Sequence, residues 1–156
     1  MVPSPRVAEA RPLRPADLDA VGALRRGALT EAAGLRGGDL YVTRAATPVP
    51  APDNPGCPAW VGILASEVVG YLFGRIEPLD DGRVLGLIEA VYVTPDCRAV
   101  GVGEEMMSAA LTAFEAAGCF GVDAIALPGA RATKNFFEES GFTARMLVMH
   151  HRLGLP

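Results

Sequence analysis

The residues best placed to do chemistry are Arg98-Ala99-Val100-Gly101-Val102-Gly103. They follow Val84 to Val93, a β-rich apolar run, and open an amphipathic stretch from about Gly101 to Ala117. The run predicts a strand. The stretch predicts a helix, with Met107, Ala110, Leu111 and Phe114 on its buried face and Gly118 as its stop. Backbone N–H groups at a helix start lack intrahelical partners and lie at the positive end of the helix dipole. Glycines at 101 and 103 let a phosphate approach those groups, so the segment suits a pyrophosphate. A nucleoside-triphosphate loop would need Gly-x-x-x-x-Gly-Lys-Ser/Thr, and no Lys stands here. A dinucleotide fingerprint would need a third glycine where Met106 stands, and it would follow the first strand rather than fall mid-chain.

These residues need a sheet to hold them, and the rest of the chain supplies the elements. Val7 to Leu13 reads as a first strand, followed by a helix entered at Arg14-Pro15-Ala16-Asp17 and striped by Leu18, Val21, Leu24 and Leu29. A second short helix is expected from about Thr30 to Leu35, ended by Gly37-Gly38. Residues 45–58 hold five prolines in fourteen positions and must form a loop. A loop of that length is either a solvated insertion or part of a site. Trp60 to Ala65 and Glu67 to Glu77 predict two antiparallel strands, and Asp80-Asp81-Gly82 a turn into the strand over Val84 to Val93. After the helix from Gly101 come a strand over Val122 to Leu127, a helix over Ala130 to Ser140 and a last strand over Phe142 to Arg152. The order predicts a mixed α/β sheet.

The 156 residues suit one domain, with residues 1–5 as a disordered start and 6–156 as the folded unit. A net charge of −4 argues against nonspecific nucleic-acid binding and leaves room for a cationic substrate. Thirteen of the fourteen basic residues are Arg; Lys134 is the exception. Cys57, Cys97 and Cys119 have no Cys-x-x-Cys spacing, so neither a disulfide framework nor a zinc site is indicated, and no metal is expected. No apolar run reaches the ~18 residues of a membrane span, which makes a cytoplasmic protein the default expectation.

The strand-loop-helix segment resembles the GNAT superfamily of acyl-CoA-dependent N-acetyltransferases. The matching residues are Val91-Tyr92-Val93-Thr94-Pro95 and Arg98-x-x-Gly101-x-Gly103; downstream, Phe136-Phe137-Glu138-Glu139-Ser140-Gly141-Phe142 looks like the family's closing helix. The two motifs cover residues 84–142, and the first 80 residues match only in element order. The resemblance implies a single-domain GNAT-like fold: a central, mostly antiparallel six- or seven-stranded sheet with a splayed parallel pair, flanked by about four helices. It further implies transfer of an acetyl group from acetyl-CoA to an amine, by direct attack within a ternary complex. The acceptor would be a small amine or a peptide, and a homodimer is a possible assembly.

Residue by residue, the resemblance assigns the pyrophosphate to the backbone of Arg98, Ala99, Val100, Gly101, Val102 and Gly103, with Glu104 adjoining. Val91, Tyr92 and Val93 would line the pantetheine arm, with the main chain of Val91 and Val93 pairing with it; the Val91 N–H would polarise the thioester carbonyl. The Arg98 side chain is a candidate phosphate contact. Glu89 is the candidate general base, on the expectation that alternation puts residues 89, 91 and 93 on one face and that burial among apolar neighbours raises its pKa. The competing reading of Glu89 is an ion pair with an Arg, and Glu77 is a weaker substitute. Phe137 occupies the position where the family usually carries a Tyr acid, and Ala130 the position of a frequent Asn; Lys134 or Asn135 would contact the cofactor instead. The loss of the Tyr keeps open a second class of function, a noncatalytic acyl-CoA-binding sensor or partner module. Cys97 reads as a loop residue without a role, His150 and His151 as ordinary strand positions, and Met106, Met107, Met146 and Met149 as core fillers.

Overall fold

A computed structural model describes residues 2, 6–44 and 48–155, so most of the expected disordered start, and residues 45–47 of the Pro-rich loop, lie outside the described residues. Strand β1 (Ala8–Pro12) leads through a 3-10 turn (Pro15–Asp17) into α1 (Leu18–Ala33), and α2 (Gly38–Arg44) follows. Strands β2 (Ala59–Leu64), β3 (Glu67–Pro78) and β4 (Val84–Val93) come next. A 3-10 turn (Pro95–Cys97), α3 (Val102–Ala116), β5 (Gly121–Ala124) and α4 (Arg131–Glu139) complete the order. The described strands form one sheet in the order β1-β2-β3-β4-β5, antiparallel except for the parallel β4/β5 pair. That pair joins only Leu85–Ile88 to Gly121–Ala124, so among the described residues the last five of β4 run on with no strand on that side.

Local chemistry explains the connections. Ala65 and Ser66 both take positive φ (51° and 67°), the two-residue hairpin geometry that matches strand twist. Asp17 accepts the Arg14 N–H at 2.8 Å and two hydrogen bonds from Arg11 at 2.7 and 2.9 Å, which ties the helix entry to β1. Helix α3 covers one sheet face, where Trp60, Leu72, Ile88, Met106, Ala110 and Phe114 are buried together. Helix α1 covers the other, over Val21, Val61, Tyr71 and Phe73. Gly62 on β2 makes the first contact possible: a Cβ there would lie 2.4 Å from Val102 Cγ1 and 3.1 Å from Met106 Sδ. The start of α3 therefore rests directly on the sheet backbone.

Three expectations need correction. Thr30 to Leu35 is not a separate helix: α1 continues through Ala33, and Gly37 (φ 80°) reverses the chain so that Gly38 opens α2 rather than ending a helix. The fifth expected strand, over Val122 to Leu127, is shorter and ends at Ala124. Phe142 to Arg152 forms no strand, which leaves five strands among the described residues. That segment alternates like a strand but touches β5 through the Arg145–Asp123 ion pair, without a backbone ladder. Consequently Met146 and Met149 are exposed rather than core fillers, whereas Met106 and Met107 are buried as expected.

Candidate active site

The site is built where β4 outruns β5. The Thr94 N–H donates to Val69 O at 2.9 Å, and Tyr92 pairs with Tyr71. Alternate residues of an antiparallel strand turn their N–H and C=O the same way, so Val91 and Val93 turn theirs away from β3, towards the side β5 has left. Among the described residues the main chain of Val91 has no strand partner there. The Val93 carbonyl accepts Arg98 Nε at 2.8 Å. The side chains of Val91 and Val93 pack against the α3 cluster.

The loop after β4 is held in an uncommon conformation. Ala99 has φ 62° and Gly101, the N-cap of α3, φ 96°; both lie in the left-handed region. Successive residues of alternating hand aim their N–H groups inward and form an anion-binding concavity. The first helical hydrogen bond runs from Glu105 N–H to Gly101 O, and among the described residues no protein group accepts from the N–H groups of residues 99–104. Those donors fit the pyrophosphate of CoA. Val100, Glu104 and Glu105 are exposed and Val102 is buried, so what this segment offers a ligand is chiefly its backbone. Gly103 has a second reason to be glycine, since a Cβ there would meet the Phe136 ring at 3.2 Å.

Glu89 is the residue whose placement differs most from expectation. In the β3/β4 ladder Phe73 pairs with Ala90 and Gly74 with Ile88, which leaves Glu89 as the extra residue of a bulge. Alternation breaks there. Ile88, Val91 and Val93 belong to the α3 face and Ala90 and Tyr92 to the α1 face, so residues 89, 91 and 93 do not share one face. Glu89 lines a cavity of about 390 Å³ with Pro48, Val49, Pro50, Asn54 and Cys57 of the Pro-rich loop. Nor is it sealed among apolar neighbours. Its side chain is 22% exposed, and Oε1 accepts Arg75 Nε at 2.8 Å. Glu77 stands two positions from Arg75 along β3 and is not among the residues lining that cavity.

The remaining candidates separate. Tyr92 and Arg98 turn towards α1, where Glu31 receives the Tyr92 hydroxyl at 2.8 Å and Arg98 Nη2 at 2.9 and 3.2 Å. Burial pushes the Glu31 carboxyl up, but the hydrogen bonds from Arg98 and Tyr92 outweigh it and hold the group below its ordinary pKa. Burial, then the hydrogen bond to Glu31, pushes the Tyr92 phenol up. Phe137 is buried in the α3-side core, with the Phe136 and Phe142 rings tilted against it. Lys134 is exposed and pairs with Glu138 at 3.5 Å, and Asn135 is exposed. Cys57, Cys97 and Cys119 are free, and His150 and His151 lie on the exposed terminal segment. Among the described residues, no group of three His, Cys, Asp or Glu could hold a metal ion, and no helix is long and apolar enough to cross a membrane. Sequence reasoning missed Glu31, Arg75 and Gly62. None of them belongs to a local motif.

A mixed sheet split at a parallel pair, with an N–H-lined loop at the head of the helix that follows, defines an acetyltransferase-type fold. A family model for the acetyltransferase (GNAT) domain matches residues 55–144, more than half of the chain. The chain belongs to the GNAT family. Among solved structures it is similar to the aminoglycoside N-acetyltransferase AAC(6')-Iy in complex with CoA, at 16% identity and TM-score 0.73, covering 99% of this chain and 100% of that one. It is also similar to an acetyltransferase of Trypanosoma brucei, at 25% identity and TM-score 0.66, covering 94% and 100%. A ribosomal-protein-alanine N-acetyltransferase from Brucella melitensis biovar Abortus 2308 matches at 16% identity and TM-score 0.67, covering 95% and 100%. No curated protein matches the chain by sequence.

Proposed function

We propose that the chain transfers an acetyl group from acetyl-CoA to a primary amine, by direct attack in a ternary complex. The observation that carries this reading is the open main chain of Val91 beside the unpartnered N–H groups of residues 99–104. The N–H groups would hold the pyrophosphate, and the Val91 and Val93 backbone would run alongside the pantetheine arm. The amine nitrogen attacks the thioester carbonyl carbon, the carbonyl oxygen takes the negative charge beside the Val91 N–H, and the C–S bond breaks to release thiolate. The proton lost from the amine goes to Glu89, at the rim of the loop cavity, whose Oε2 accepts no hydrogen bond among the described residues. Phe137 has no proton to give and lies in the core, so water reprotonates the thiolate. The acidic balance of the chain and the carboxylate at the cavity favour a small cationic amine. The CoA-bound aminoglycoside N-acetyltransferase among the similar structures points the same way.

A CoA-release assay across a panel of primary amines, paired with thermal shift, tests this. Acetyl-CoA at 100 times its dissociation constant should add ~2.7 kcal/mol to folded stability. Glu89→Gln should keep that shift and lower kcat/KM about 10²-fold or more. Binding without turnover for every amine would favour the noncatalytic acyl-CoA module, a reading that the Arg75–Glu89 ion pair and the buried Phe137 keep in play.

A further inference from the structure

We propose that Glu31 is a positioning residue of the donor site, acting through Arg98 and Tyr92 to hold the loop over residues 94–101 in its N–H-presenting shape; this rests on the reading that the loop binds the CoA pyrophosphate. Arg98 opens the Arg98–Gly103 segment whose N–H groups the loop presents. Its guanidinium is committed to the protein: Nε donates to Val93 O at 2.8 Å, and Nη2 reaches both Glu31 oxygens at 2.9 and 3.2 Å. The Tyr92 hydroxyl donates to the same carboxylate at 2.8 Å, and the guanidinium carbon lies 5.3 Å from the centre of the Tyr92 ring. One carboxylate of α1 thus gathers two side chains from the end of β4 and the start of the loop.

The loop needs such a tie. Ala99 sits at φ 62°, a conformation that a residue with a Cβ leaves when free to do so. Both members of the Glu31–Arg98 pair are more than two-fifths exposed, so the pair adds little to global stability. Its effect is on local geometry. The left-handed preference of one residue corresponds to roughly tenfold in population, and affinity falls in proportion to the competent fraction. Glu31 also lies on the helix that packs over the face carrying Ala90 and Tyr92, so the strut joins that face to the donor loop.

The strut and the phosphate-ligand readings of Arg98 predict opposite signs. Removing Glu31 frees the guanidinium. If Arg98 is a phosphate ligand in waiting, CoA binding tightens or stays the same. If Arg98 is a strut, CoA binding weakens. For Glu31→Ala we expect the calorimetric Kd for CoA to rise about tenfold, while KM for acetyl-pantetheine, a donor without pyrophosphate, is unmoved. Without any ligand, trypsin should cut after Arg98 several-fold faster in Glu31→Ala than in the wild type. The charge swap Glu31→Arg with Arg98→Glu should recover part of the CoA affinity. An unchanged or tighter Kd, or equal trypsin rates, would overturn the strut. A wild-type chain that does not bind CoA would instead remove the donor-site reading beneath it. Ala is a strong helix former, so Glu31→Ala leaves α1 intact.

Discussion

Gly62 sets where α3 begins, and Gly62→Ala tests whether that contact positions the donor loop. The added Cβ would stand 2.4 Å from Val102 Cγ1 and 3.1 Å from Met106 Sδ. Two carbons in comfortable contact lie about 3.5–4.0 Å apart, so the first turn of α3 must lift by about 1 Å or the sheet must bend. Val102 is 1% exposed and Met106 fully buried, which leaves neither free to swing away. Overpacking of this kind costs about 1–3 kcal/mol, or roughly 2–12 °C in melting temperature for a domain of this size. The lift also moves the N–H groups of residues 99–104, and a 1 Å misplacement can cost about 10²-fold. Val102→Ala provides the control. Alone it should cost about 1–2 kcal/mol for lost burial, but combined with Gly62→Ala it removes the clashing methyl and lets the new one fill the space. The double variant should therefore be at least about 1 kcal/mol more stable than the sum of the single effects implies. Thermal melts with and without CoA read both quantities. Strict additivity, or a Gly62→Ala chain with wild-type stability and CoA affinity, would refute the idea that this approach sets the loop.

Three further outcomes follow from the geometry. Asp17 is buried and its carboxyl is held below the usual range by the Arg11 hydrogen bonds. Its contribution is full above the unfolded carboxylate value of about 3.9 and is lost as pH falls through the lower folded value. Asp17→Asn should cost about 2–3 kcal/mol at pH 7, less than a fully buried pair would because Arg11 can turn to water, and should flatten the acid limb of stability in denaturant melts from pH 7 to 3. Phe114→Ala empties the centre of the α3 face, where Phe114 is 1% exposed, and should cost about 3–5 kcal/mol in chemical denaturation. Gly101→Ala meets nothing closer than Ala8 Cβ at 3.7 Å, so its cost is the positive φ alone: about 1 kcal/mol once the unfolded-state gain is subtracted, read as a fall in melting temperature.

The parts legible in the sequence are those fixed by local chemistry. Val84 to Val93 reads as a strand from its apolar run and is one, and the glycines at 101 and 103 announce the loop and the helix start. The prolines of residues 48–58 argue against a strand, and none forms there, although the Gly56 and Pro58 carbonyls accept the Ile76 and Gly74 N–H groups of β3. The parts that were not legible depend on partners distant in sequence. Gly37-Gly38 serves equally as a helix stop or a helix start, and only the chain reversal at positive φ decides it. Phe142 to Arg152 has the alternation of a strand, but alternation supplies a surface and not a neighbour with free hydrogen-bonding groups. Glu31 is tied to Arg98 across 67 residues, and nothing near Glu31 marks it as anything but a solvated helix position.

The Glu89 bulge shows why this last kind of information carries function. Read alone, β4 alternates through Glu89, and the carboxylate belongs with Val91 and Val93. The extra residue becomes visible only against β3, where Phe73 and Gly74 skip over it. That one-residue slip has two effects on the same strand. It turns Glu89 to the side of the Pro-rich loop and its cavity, and it sets the phase in which Val91 and Val93 present their main chain to the side that β5 vacates. In-phase alternation would place Glu89 beside Val91, among the residues that pack on α3, where a carboxylate would be buried without Arg75. The bulge thus lets a charged residue and a packed apolar wall occupy consecutive positions, and the proposed chemistry needs both.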